Sequence, residues 1–212
     1  MKIVTAQTMA EIDRRTIENG TPGVILMRNA GAAVLDRIMT VMEGISETSS
    51  AAVVAGKGNN GGDGYRVAEL LARSNIPVTV ILAAEKTAVS GDARTCLEDA
   101  ERLGVEINEV IGEDDVHAAS HLLLSADVII DALFGTGLTG DIRGNAANLL
   151  RAINASDAVV FAVDVPSGVD ASTGSISTDT VKADCSVTFG CYKVAISLGR
   201  VGSCVVMSQL LT

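Results

Sequence analysis

The chain reads as an α/β protein: a three-layer α/β/α arrangement around a Rossmann-like, doubly wound, mainly parallel sheet, with an N-terminal helical pair. Three observations predict this class. From residue 51 onward, short apolar runs alternate with stretches of helical spacing, the pattern of strands joined by crossover helices. Several runs are continuous rather than alternating, as in Val159-Val160-Phe161-Ala162-Val163, which marks strands buried on both faces. A glycine-rich segment, residues 56–64, separates the first run from the first helical stretch, where such sheets bind phosphate-bearing ligands.

Each element has a local reason. Thr8 and Glu11 have the spacing of a capping box, and Met9, Ile12, Thr16 and Ile17 share a helical face before Gly20 ends it. Pro22 opens a second helix in which Val24, Met27, Gly31, Leu35, Ile38 and Met42 recur every three or four residues. Both faces suit either packing onto the sheet or a homodimer contact. Strands are predicted at 53–56, 78–83, 106–110, 128–133, 159–165, 186–189 and 203–207. Helices are predicted at 62–74, 91–103, 114–125 and 144–155. No repeat, low-complexity tract or linker interrupts the pattern, so residues 1–212 are expected to form a single domain.

Composition narrows the function. A net charge of -10 argues against a nucleic-acid or anionic-membrane surface, so an anionic ligand must be drawn in by local groups. There is no Trp, with three Phe and two Tyr, which leaves little for base stacking. No run is long enough to span a membrane, and the start lacks a signal-peptide core. Cys96, Cys185, Cys191 and Cys204 show no CxxC spacing and read as small buried hydrophobes in a reducing compartment. The expected location is the cytoplasm.

The chemistry-bearing residues follow strands. Gly56, Gly58 and Gly61 satisfy GxGxxG between strand and helix, a dinucleotide fingerprint. Its acidic partner, expected at the end of the next strand, is nearest to Glu85 and comes slightly late. The fingerprint leaves Asn59, Asn60 and Asp63 unexplained, and these acceptors suit hydroxyl groups or a cation. Asp131 and Asp164 end two further apolar strands, each followed by a glycine-bearing loop. One such acid is as readily a turn cap as a site residue. Beside Asn60 and Asp63, two of them make an oxygen-rich pocket for a hard cation or a general base. Lys193 follows the sixth strand, either at the ligand edge or as an ordinary surface lysine. His117 and His121 lie one helical turn apart without a third ligand and read as a solvated face. As the only histidines, they also count against a Ser-His-Asp or Cys-His hydrolase. No GxxxxGK[ST] is present, so a P-loop NTPase is not supported.

Taken together, several motifs resemble those of the NAD(P)H-hydrate epimerase family, also called the YjeF N-terminal domain family. They are Gly58-Asn59-Asn60-Gly61-Gly62-Asp63-Gly64, Asp131-Ala132-Leu133-Phe134-Gly135-Thr136-Gly137-Leu138, Asp164-Val165-Pro166-Ser167-Gly168-Val169-Asp170, and Thr188-Phe189-Gly190 with Lys193. The resemblance extends to Leu26-Met27 and Ala30-Gly31 in the N-terminal helices. It implies an isomerase that interconverts the two epimers of hydrated NADH or NADPH, so that a companion NAD(P)H-hydrate dehydratase restores the cofactor. By that resemblance, Asn59, Asn60, Gly61, Gly62 and Asp63 bind the hydrated dinucleotide. Gly135, Thr136, Gly137, Leu138, Thr139, Gly140, Asp141 and Asp164 do the same. Asn60, Asp131 and Ser167 hold a potassium ion, one per subunit.

Asp164 is the expected acid–base group, with Lys193 a secondary one. One departure stands out: many members carry an acid where this chain has Arg28, a position expected to affect helix surface or subunit contact. Some relatives continue into a dehydratase domain, so this chain is expected to be stand-alone or part of a longer protein. Two competing readings are an NAD-dependent oxidoreductase, with Tyr192 as the one strand-end proton donor, and a non-catalytic scaffold of the same fold.

Overall fold

The computed structural model describes residues 2–42, 48–138, 140–199 and 204–208, the last as backbone only. The chain begins with a two-residue strand β1 (Ile3–Val4) and helices α1 (Ala6–Glu18) and α2 (Gly23–Val41). Strands and helices then alternate: β2 (Ala51–Ala55), α3 (Asn59–Arg73), β3 (Val78–Leu82), α4 (Gly91–Arg102), β4 (Glu106–Glu109) and α5 (Glu113–Ser125). After β5 (Val128–Ala132), α6 (Gly144–Ala155) and β6 (Val159–Val163), a long loop leads to β7 (Cys185–Phe189). The short β8 (Tyr192–Lys193), α7 (Val194–Ser197) and β9 (Cys204–Ser208) complete the described chain.

Seven strands form one sheet in the order β4-β3-β2-β5-β6-β7-β9, and every neighbouring pair is parallel. The continuous apolar runs thus have the cause read from them, because β2 and β5 are buried at every position. Helices α2, α3 and α4 pack on one face around Val53, Val80 and Ile130, while α5 and α6 cover the other around Val54 and Ile129. The α2 face is filled inside the chain by Met27, Ala30, Val34 and Ile38. The strand order reverses between β2 and β5, and a cleft opens at such a reversal beyond the carboxyl ends of the strands.

Several boundaries shift by one or two residues, as where β6 ends at Val163 and leaves Asp164 in the loop, and two helix starts differ in kind. Helix α1 is capped by Thr5, whose side chain accepts from Thr8 N at 3.2 Å, so Thr8 lies inside the first turn and is not the cap. Helix α3 starts at Asn59, three residues before the predicted 62. Its glycines are interior helix positions set by packing. A Cβ on Gly61 would strike the Gly56 carbonyl, and one on Gly64 would lie 2.5 Å from Ala132 Cβ. The glycines let α3 lie directly on β2 and β5.

Candidate functional site

The ends of β2, β5 and β6 meet, as the loop positions predict, in a cavity of about 1160 Å³. Pockets of about 300–1,000 Å³ hold drug-sized ligands, so this one has room for a dinucleotide. Gly56, Lys57 and Gly58 form one wall with Asn59, Asn60 and Asp63 of α3. Leu133 to Leu138 form a second, and Asp164 with Lys193 closes the floor between them. Glu85 and Asp92 line the end near β3. Tyr65 anchors the first wall from beneath, fully buried, its hydroxyl donating to Gly56 O at 2.7 Å.

Asp164 sits one residue past β6 in a γ-turn. Val165 N bonds back to Val163 O at 2.9 Å, and φ at Asp164 is 67°. A non-glycine residue in the left-handed region is strained and clusters at functional positions. The turn persists because Asp164 N is held by Val187 O at 2.8 Å. Lys193 is 1% exposed, which excludes the surface-lysine reading. Its ammonium donates to Asp164 Oδ1, to Thr188 Oγ1 at 2.9 Å and to Phe189 O at 2.9 Å. Thr188 Oγ1 in turn donates to the same Asp164 Oδ1 at 2.9 Å. All three donors of the lysine are used, as a buried ammonium requires. Both bonds to Asp164 end on Oδ1, which leaves Oδ2 for a ligand.

Asp131 and Ser167 lie beneath the cavity, fully buried. Asp131 Oδ2 accepts from Ser167 N at 2.7 Å, and Oδ1 accepts from Ser167 Oγ at 2.6 Å and Leu133 N at 3.3 Å. Burial nevertheless pushes the Asp131 carboxyl up to about 6, against the opposing pull of Ser167. Ser167 Oγ also accepts from Phe134 N at 2.8 Å, tying the β5 and β6 loops together. Above them, the Asn60 side chain packs on Gly135, where a Cβ would lie 2.9 Å from Asn60 Oδ1. Asn60 Nδ2 is buried without a hydrogen-bond partner.

Other expected positions separate. Gly62 packs against Met27 and Ala93, and Gly61 against Gly56, both away from the cavity wall. Asp141 is exposed and, like Gly140, stands outside the lining. Thr139 lies outside the described residues. His117 and His121 are both exposed, as a solvated face requires. Cys96 and Cys185 are buried and Cys191 is half-buried; the Cys204 side chain lies outside the description. Arg28 reaches Asp99 Oδ2 at 3.5 Å on the surface, away from the cavity. Tyr192 packs against the cluster around Val165, Val169 and Ala195, so the oxidoreductase reading loses its proton donor.

Among the charged cavity residues, Asp13, Arg14 and Asp92 were not read from the sequence. Asp13, on α1 with Met9 and Ile17, lines the same cavity. Burial raises its carboxyl, with Asp164 adding to the rise and Lys193 opposing it. Asp63 is raised well above the carboxylate range by burial first and by the charges of Asp164 and Asp13 next. The one hint was spacing: Asp13 follows Met9 by four residues and therefore shares its face.

Known proteins match this arrangement. The family described as "YjeF-related protein N-terminus" matches residues 23–195. A "Bifunctional NAD(P)H-hydrate repair enzyme Nnr" from Moorella thermoacetica is 37% identical over 197 residues, covering 92% of this chain. The chain spans only 37% of that longer protein's length. An "NAD(P)H-hydrate epimerase" from Rhodopirellula baltica is 36% identical over 192 residues, covering 90% of this chain and 75% of the relative. The crystal structure of yeast ynu0 superposes with a TM-score of 0.78 at 23% identity, over 93% of this chain and 84% of that one, and so shares the fold.

Proposed function

Because the chain belongs to the YjeF-related protein N-terminus family, we propose that it is an isomerase that interconverts the epimers of hydrated NADH and NADPH. The observation that carries this reading is Asp164. A strained turn presents its free carboxylate oxygen to a dinucleotide-sized cavity at the switch point of the sheet, with Lys193 and Thr188 fixing the other oxygen. At the hydrated carbon, a hydroxyl and the ring nitrogen share one atom. Its configuration is lost when the ring opens to an aldehyde or when the hydroxyl departs, and both routes need proton transfer near that hydroxyl. A companion dehydratase specific for one epimer completes the repair, consistent with the bifunctional name of the Moorella relative.

The potassium ion belongs to the same proposal. Asn60, Asp131 and Ser167 offer oxygen donors only, the set a hard cation takes. The buried, partnerless Asn60 Nδ2 supports this, since turning that amide over places its oxygen in the same spot. The ion would supply positive charge under the ends of β2 and β5.

The test is a coupled assay. The epimer refused by a dehydratase is supplied with that dehydratase, and formation of NADH is followed with and without this protein. Acceleration over the spontaneous rate is expected, and Asp164→Ala removes it on the order of 10²- to 10⁴-fold. An unaccelerated rate with wild-type protein overturns the proposal.

A further inference from the structure

Helix α1 precedes the stretch matched by the family, which begins at residue 23, yet it walls the cavity. Three contacts fix it there. Strand β1 pairs in parallel with β8, setting Val4 opposite Lys193. Ala6 N donates to Ser172 Oγ at 2.9 Å in the loop beyond β6. Met9 packs on Gly190, where a Cβ would lie 2.6 Å from Met9 Cε. The strand that leads into α1 is thus registered against the strand that carries Lys193.

The charged side chains of α1 pair with one another, and Asp13 stands apart from them. Glu11 pairs with Arg14 and Arg15, and Arg14 also pairs with Glu18. Asp13 takes part in none of these pairs and, among the described residues, accepts no hydrogen bond. It lines the cavity with Arg14 of its own helix, Lys57 and Asp63 of the glycine-rich wall, Glu85 and Asp92 near β3, and Asp164 and Lys193; of these, Lys193, Asp164 and Asp63 act on its charge. Its carboxyl is half-buried and open to the cavity, where a ligand would meet it.

We propose that Asp13 is a second catalytic carboxyl of this site, holding the proton that the substrate takes up while Asp164 accepts one. This rests on the epimerase reading above. In ring opening, the hydroxyl proton passes to Asp164, the C–O bond becomes a carbonyl and the carbon–nitrogen bond breaks. The ring nitrogen then takes its proton from Asp13. Rotation about the carbon–carbon bond and the reverse transfers close the ring on the other face. In hydroxyl departure, Asp13 protonates the leaving hydroxyl, a water adding to the other face gives its proton to Asp164, and exchange with cavity water returns a proton to Asp13 and takes one from Asp164. Both routes are isomerisations without oxidant or reductant, and both require one protonated and one ionised group. Lys193 and Thr188 fix Asp164 Oδ1, so that Oδ2 is presented as the accepting oxygen. Burial first, opposed by Lys193 and aided by Asp164, raises the Asp13 carboxyl, which favours it over Asp164 as the proton-giving group.

The experiment compares Asp13→Asn and Asp13→Glu with wild type in the coupled assay across pH, with melting temperatures recorded alongside. Asp13→Asn is expected to lower kcat on the order of 10²-fold or more, to leave KM within about threefold, and to lose the alkaline fall of the wild-type profile. Asp13→Glu keeps the carboxyl and is expected to restore most of kcat with that fall in place. The inference is overturned by a folded Asp13→Asn protein with wild-type kcat and pH profile, or by a loss that Asp13→Glu does not relieve. An inactive wild type instead overturns the epimerase reading itself.

Discussion

Lys193 has its charge and its three donors satisfied inside the protein, so its replacement has a sharp energetic meaning. Lys193→Met keeps most of the length of the side chain but leaves Asp164 with Thr188 alone. Breaking a buried pair from one side costs about 3–5 kcal/mol; urea unfolding measures it, and a change below about 1 kcal/mol contradicts the pairing. Asp63 makes the complementary prediction for pH. Its carboxyl holds its proton more tightly in the folded chain than in the unfolded one, through burial and the charges of Asp164 and Asp13. That contribution to stability is therefore complete below the ordinary carboxylate range and is lost as pH rises through the folded value. The melting temperature is expected to fall as pH rises above the ordinary carboxylate range, and Asp63→Asn to flatten the fall. An unchanged slope in that variant refutes the assignment.

Helix α3 shows how packing reverses a propensity. Alanine for glycine inside a helix ordinarily stabilises by about 1 kcal/mol. At Gly64 the new methyl meets Ala132 Cβ at 2.5 Å and Val53 Cγ1 at 3.2 Å, and overpacking of this kind costs about 1–3 kcal/mol. Gly64→Ala is expected to lower stability, and Gly61→Ala to lower it further because the obstacle there is the Gly56 backbone. A raised melting temperature in either variant contradicts the packing account. The same helix marks where sequence reading stops. Strands β2, β5 and β6 were legible because burial on both faces leaves a continuous apolar run. The start of α3 was not, since Asn59 to Gly64 has the composition of a loop and becomes helix only against β2 and β5. Strands β1 and β8 are too short to leave a period. Asp164 and the Asn60 segment were legible as strand-end polar residues. Asp13 was not, because an acid among Glu11, Arg14 and Arg15 looks like one more solvated charge until α1 is placed.

For the molecule as a whole, the proposed potassium ion is tested through stability. A ligand at one hundred times its dissociation constant adds about 2.7 kcal/mol, roughly 5 °C or more for a domain of this size. Potassium chloride is expected to raise the melting temperature above lithium chloride at equal ionic strength, and Asn60→Ala to abolish the difference. Equal melting in both salts removes the ion from the proposal. No helix among the described residues is long and apolar enough to cross a membrane.

The pairing of β1 with β8 sets Val4 beside Lys193, contacts from nearly opposite ends of the sequence. Closing so long a loop is entropically late in folding, and on the ribosome it waits until β8 has emerged. A nascent chain therefore builds its glycine-rich wall long before it owns a complete reaction chamber, and turnover is expected to wait for this closure. In refolding, recovery of turnover is expected to lag recovery of helical circular dichroism, whereas simultaneous recovery would place this closure early.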